Sequence, residues 1–233
     1  MKKLVFIAIF ATLWTSNFVF AQLRVGIRGG LQLADMRNKP DDRTGLNDDT
    51  KMRLGYQLGV VFDYSFNNII FFQPAIQINS KGSKIVETNN ILNTKYTFQN
   101  SPLYVDVPLL LGLRFGLKGF KIFGMGGPYL AYGIGGKNYS RLDTPIGYTE
   151  SETQIRWGNK TTLSDPKDLR PLDLGLVISA GVELTNLQIG LHYTPSFTNI
   201  APDGSGRKLY NTVVGINATL LFGGGGGGVA RFL

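Results

Sequence analysis

Leu172-Asp173-Leu174-Gly175-Leu176-Val177-Ile178-Ser179-Ala180-Gly181-Val182-Glu183-Leu184 decides the fold. Every second residue from Leu172 to Leu184 is apolar, and the residues between them include Asp173, Gly175, Ser179, Gly181 and Glu183. Successive side chains of an extended chain point to opposite sides, so this stretch has one oily face and one polar or small face. The pattern recurs directly downstream. Leu187, Ile189, Leu191, Tyr193, Pro195 and Phe197 alternate with Gln188, Gly190, His192, Thr194 and Ser196. It is present upstream too, where Leu54, Tyr56, Leu58, Val60, Phe62 and Tyr64 alternate with Arg53, Gly55, Gln57, Gly59, Val61 and Asp63.

Alternation also suits a soluble sandwich. Three features point to lipid as the solvent of the oily face. The segments run to about 10–13 residues, near the length a tilted membrane-spanning strand needs. Aromatic residues fall near segment ends, with Tyr64, Phe66, Phe115, Phe120 and Phe222 on one side and Tyr56, Tyr132 and Phe197 toward the other. Such residues form interfacial girdles. The connections alternate between short and long.

The reading extends to eight strands, over 23–34, 52–64, 69–80, 102–115, 120–132, 171–184, 187–198 and 209–222. Ser65-Phe66-Asn67-Asn68, Gly116-Leu117-Lys118-Gly119 and Thr185-Asn186 read as short periplasmic turns. The spans 35–51, 81–101, 133–170 and 199–208 read as long external loops. The expectation is an all-β, eight-stranded antiparallel transmembrane β-barrel over residues 22–222, closed so that no backbone edge faces lipid. Pro74, Pro108, Pro128 and Pro195 fall inside these strands and are expected to mark bulges or strand ends.

The flanks fit export. Met1-Lys2-Lys3 precedes an apolar run from Leu4 to Leu13, and Val19-Phe20-Ala21 resembles a cleavage site. Residues 1–21 therefore read as a cleavable signal peptide, too short in its apolar core to span comfortably as an anchor. Removing Lys2 and Lys3 would lower the formal net charge from +8 to +6. That suits an anionic lipid surface, whereas no basic run interleaved with aromatics suggests nucleic acid. The chain has no cysteine, which excludes disulfides, thiol catalysis and cysteine metal sites. Residues 223–233 read as a glycine-rich tail.

Several phrases resemble the PorT-like outer-membrane β-barrel family of Gram-negative bacteria. They are Arg28-Gly29-Gly30-Leu31-Gln32-Leu33-Ala34, Phe72-Gln73-Pro74-Ala75-Ile76 with Lys81-Gly82, and Tyr104-Val105-Asp106-Val107-Pro108-Leu109-Leu110. Gly127-Pro128-Tyr129-Leu130-Ala131-Tyr132, Asp173-Leu174-Gly175 and Gly181-Val182-Glu183 complete the set. The resemblance covers most of the chain after residue 21. It implies an eight-stranded outer-membrane barrel in which the strand-borne prolines are family features. Its named member belongs to a secretion system, but fold does not carry function across.

The inward faces are expected to hold Arg28, Arg53, Asp63, Asp106, Arg114, Lys121, Asp173 and Glu183 as a lumen polar network. An eight-stranded barrel is just wide enough for side chains to fill it, and buried charges must pair. A plugged lumen is the leading expectation; a charge-lined pore is the alternative. His192 is the only histidine and faces inward. Ser196, four residues on, lies about 13 Å along the strand, beyond contact. A His–Ser dyad of a lipid-modifying enzyme would need a serine from another strand, such as Ser179. No catalytic, cofactor or metal residues are assigned. Gly124-Met125-Gly126-Gly127 lacks the context of a phosphate loop. The acidic residues Asp35, Asp41, Asp42, Asp48 and Asp49 lack EF-hand spacing. Tyr139, Tyr148 and Trp157, in the longest external span, are the candidate loop binding surface. Expected partners are outer-membrane lipid, the barrel-assembly machinery during biogenesis, and envelope or secretion-complex proteins.

Overall fold

The structure, a computed structural model, describes residues 23–38 and 50–223. The segment read as a signal peptide, most of the acidic stretch between the first two strands, and the glycine tail from Gly224 lie outside the described residues.

Ten strands follow one another: β1 (Leu23–Asn38), β2 (Thr50–Ser65), β3 (Ile70–Ser80), β4 (Ser83–Asn89), β5 (Thr94–Leu117), β6 (Phe120–Thr144), β7 (Gly147–Gln154), β8 (Leu172–Leu184), β9 (Leu187–Pro195) and β10 (Leu209–Phe222). All pairings are antiparallel. The ring runs β1–β2–β3–β5–β6–β8–β9–β10 and closes where β10 meets β1, from Val25↔Phe222 to Asn38↔Leu209. The barrel therefore has eight staves, as the alternation predicts.

The two additional strands have different origins. β4 prolongs β3 and keeps the same neighbours, β2 and β5. Lys81-Gly82 separates the two. Gly82 holds φ at 129°, and a Cβ there would lie 2.0 Å from the carbonyl oxygen of Asn100. Only glycine fits a turn of this sign at such close approach. β7 lies outside the ring and pairs with the upper part of β6. The spans read as long loops at 81–101 and 133–170 thus contain much strand: β5 and β6 rise as one hairpin far above the level where β8 ends.

The oily face turns outward on every stave. Leu54, Leu58, Leu111, Ile122, Leu174 and Ile216 are all exposed, whereas Asp63, Gln73, Asp173 and Thr219 on the opposite faces are fully buried. This is the inverse of a soluble fold and defines the lipid-facing band. The short connections between consecutive staves at the end that holds Leu23 and Phe222 include one stapled by Asn67, whose Oδ1 accepts from the amides of Ile69 and Ile70 at 2.8 and 2.7 Å.

One of the four prolines marks a strand end as expected, and three do not. Pro195 ends β9. Pro74, Pro108 and Pro128 interrupt ladders locally, yet the register on either side is unchanged. The shift in the β5–β6 ladder instead lies between Leu103 and Tyr104. Each missing N–H removes a rung, but the neighbouring pairs hold the strands in line.

Candidate functional site: a filled lumen beneath a strand crown

Two ion clusters occupy the lumen. At the turn end, Arg24 lies 3.0 Å from Asp63 and 2.8 Å from Glu183. Arg114 joins the same two carboxylates and stacks its guanidinium 3.9 Å from the centre of the Phe71 ring. Gln73 donates to Asp63 at 2.9 Å and Gln188 donates to Glu183 at 2.8 Å. Lys121 sits at the rim, half exposed, 3.7 Å from Glu183.

Nearer the outer end, the fully buried Lys81 reaches Asp106 at 3.2 Å and Asp173 at 3.1 Å. Its ammonium also lies over the rings of Tyr129 and Tyr104, 4.3 and 4.9 Å from their centres. Asp173 further accepts from the Tyr129 hydroxyl at 3.1 Å, from Asn211 at 2.9 Å and from Ser196. Between the clusters, Arg28 donates to Thr219 at 2.9 Å and to Gln73. Asn79 donates to Asp106 at 2.8 Å.

The charges balance. Arg24, Arg28, Lys81 and Arg114 supply four cations against the four carboxylates of Asp63, Asp106, Asp173 and Glu183. Charges removed from water cost several kcal/mol each unless paired and hydrogen-bonded; seven of the eight are in ion pairs, and Arg28 is held by its hydrogen bonds to Thr219 and Gln73. The cavity left at mid-height, lined by Arg28, Gln57, Asp106 and His192 among others, amounts to ≈ 20 Å³. That is room for about one water.

The outer mouth is capped from above. Met36, Ile155, Leu169 and Ile200 form a buried apolar cluster with Trp157 and Leu209 against it. Trp157 meets Tyr104 edge-on, ring centres 5.3 Å apart. Gly133 leaves the space: a Cβ there would lie 2.3 Å from the indole.

Six of the eight expected lumen residues, Arg28, Asp63, Asp106, Arg114, Asp173 and Glu183, are deeply buried. Two stand apart. Lys121 stays at the rim. Arg53 lies in the wall at the β3–β4 break, donating to Ser80 Oγ at 3.1 Å and to the carbonyl of Lys81 at 3.0 Å, with no carboxylate partner among the described residues. Arg24 and Lys81 are the residues the sequence reading missed. Both continue an inward series, Arg24 before Gly26 and Arg28, and Lys81 after Gln77 and Asn79. Ending the third strand at Ser80 hid the second.

Trp157, expected on an exposed binding surface, turns inward as part of the cap. Its ring packs against the apolar cluster and Tyr104, and Gly133 makes its berth. Tyr139 and Tyr148 do lie on the external hairpin. The Tyr139 hydroxyl donates to Glu150 at 2.9 Å, and the Arg141 guanidinium lies 4.2 Å from the centre of the Tyr148 ring. Arg141 also binds Asp143 at 2.8 Å, which holds that carboxyl below its ordinary value.

Ser179 is the register partner of His192, but its hydroxyl donates to the Leu191 carbonyl at 2.8 Å. His192 Nδ1 faces the Asn217 amide at 3.1 Å. Neither group faces lipid.

A closed ring of strands, oily outside and ion-paired inside, is a small transmembrane β-barrel of the outer-membrane type. The profile of the outer membrane protein beta-barrel domain matches residues 20–201. The chain belongs to that family, and its place is the outer membrane. Among solved structures it is similar to the attachment invasion locus protein Ail of Yersinia pestis, at 13% identity over 86% of this chain and 99% of that one, with a TM-score of 0.38. OprG of Pseudomonas aeruginosa is similar at 15% identity over 87% and 96%, with a TM-score of 0.45. Neisserial surface protein A is similar at 10% over 85% and 97%, with a TM-score of 0.42. A search of curated proteins finds no match.

Proposed function

We propose that the protein is a non-enzymatic barrel with a closed lumen, which serves as a membrane-fixed scaffold that displays external strands and loops for binding. The observation that carries this reading is the balanced set of four cations and four carboxylates, which with the apolar cap leaves a mid-height cavity of only ≈ 20 Å³. A hydrated ion has no continuous path through such packing. The inward burial of His192 and Ser179, away from lipid, supports a non-enzymatic role.

Within the family, the motifs around Pro74, Pro108, Pro128 and Lys81-Gly82 support a PorT-like kinship, and with it an association with a secretion or envelope complex. Export through a cleaved signal peptide over residues 1–21 and folding by the barrel-assembly machinery belong to the same proposal. Planar-bilayer recording of the purified, refolded protein tests the closed lumen. The expected trace is silent; steady ion currents would replace the scaffold by a small porin-like channel.

A further inference from the structure

The external sheet ends in a strand with nothing beside it. β6 is flanked by β5 and β8 within the membrane, but the β6–β8 ladder stops at Tyr132↔Leu172. Above that level β7 takes the place of β8, pairing with β6 from Lys137↔Gln154 to Thr144↔Gly147. Among the described residues no strand pairs with the far edge of β7. An antiparallel ladder uses alternate backbone groups, so half of the N–H and C=O groups of β7 point away from β6.

Proline, lysine and a bulge, three of the usual protections of an edge, are missing, and Glu150 and Glu152 are its only charges. Gly147–Gln154 contains no proline and no lysine, its register with β6 is unbroken, and all eight residues are exposed. An uncovered strand edge is a template for another strand.

Charge selects the occupant. On one face of this sheet, β6 presents Lys137, Arg141 and Asp143, the last two paired with each other, and β7 adds Glu152 and Glu150 beside Lys137 and Arg141. Beyond this acidic row the next position in the sheet favours lysine or arginine, because opposite charges on adjacent strands stabilise and like charges destabilise. A second copy of β7 offers no basic residue at all. We infer that the free edge of β7 is a β-augmentation site for an extended segment of a separate protein that carries basic residues at alternate positions. The inference rests on the display-scaffold reading and gives that scaffold a partner chemistry.

The test uses the full chain folded in detergent micelles and two eight-residue strand-forming peptides. One has lysine at two alternate positions and its twin has glutamate there. Amide hydrogen exchange across residues 147–154 is the readout. The lysine peptide is expected to slow exchange in β7 by about ten-fold or more, and the glutamate peptide to leave it unchanged. In the double variant Glu150→Lys, Glu152→Lys the preference is expected to reverse. Equal protection by both peptides, protection by neither, or binding of the lysine peptide without protection of β7 would overturn the site. Concentration-dependent protection of β7 without any peptide would overturn it in favour of self-association. None of these results depends on bilayer conductance, so the closed lumen and the edge site stand or fall separately.

Discussion

Below Tyr104, the β5–β6 hairpin turns Leu109, Leu111, Leu113 and Phe115 outward; above it, the same strands turn Gln99, Ser101, Lys137 and Arg141 outward. The boundary falls beside the register shift at Leu103/Tyr104. Inside the lower part, ion pairs are nearly or fully buried, as with Arg114 of β5 and Asp63, at 4% and 0% side-chain exposure. On the upper part, Lys137 and Glu152 pair at 54% and 52% exposure. One hairpin thus carries two kinds of electrostatics. In the lumen each charge is held by several partners, and losing one leaves the rest desolvated. On the crown, water and salt screen every pair, so charge contributes little stability and is free to select partners.

The contrast would break first at Asp173. Asp173→Ala strips Lys81, Tyr129, Ser196 and Asn211 of a shared acceptor. The expected loss is about 3–5 kcal/mol, read from urea unfolding of the refolded protein. A change under about 1 kcal/mol would mean that water reaches the site and that the lumen resembles the crown.

A second variant sharpens the point. Neutralising the whole outer cluster together, with Lys81→Met, Asp106→Asn and Asp173→Asn, removes its charges without stranding a member of that cluster. It is expected to recover part of the loss seen in Asp173→Ala, because no member of that cluster is left unpaired, although three cations then face two carboxylates in the rest of the lumen. Additive losses would show that each ion pair stabilises the barrel by itself.

At the junction of the two regions, Gly133→Val drives a side chain into the berth of Trp157. Overpacking of this kind costs about 1–3 kcal/mol. Displacement of the indole should shift its fluorescence to longer wavelength. Unchanged emission would mean that the cap does not depend on that contact.

The smallest effect belongs to the crown. The hydrogen bond and charge of Arg141 depress the Asp143 carboxyl below its ordinary value of 3.8. A depressed carboxyl contributes its part above the unfolded value and loses it as pH falls through the folded one. The carboxyl shift of Asp143, followed by nuclear magnetic resonance, should therefore titrate below 3.8 and return toward it in Arg141→Gln. The melting temperature of the barrel should not move. A shift of melting in that range would place the hairpin among the stabilising elements.

Much of this was legible from spacing. Period-two alternation marked all eight staves, within a few residues except at the outer ends of β5 and β6, which run on to Thr94 and Thr144, and inward parity named six of the eight lumen ions. Arg24 and Lys81 escaped because each sits at an end of its inward series. For Lys81 the expected stop came at Ser80, whereas the chain only kinks at Gly82 and continues as β4. Arg53 and Lys121 share the inward parity of the network but not its depth, since parity gives direction and not height. The pairing of Lys81 with two carboxylates from β5 and β8 was not legible at all.

The sequence by itself determined the eight staves, their oily and polar faces, and the turn end of the barrel, because these follow from local alternation and turn chemistry. Only the tertiary structure decided which charges meet across the lumen, that Trp157 seals the mouth, and that β7 ends a sheet with its edge bare. Those depend on shear and stave height, which bring residues distant in the chain to one level, and no local pattern encodes that.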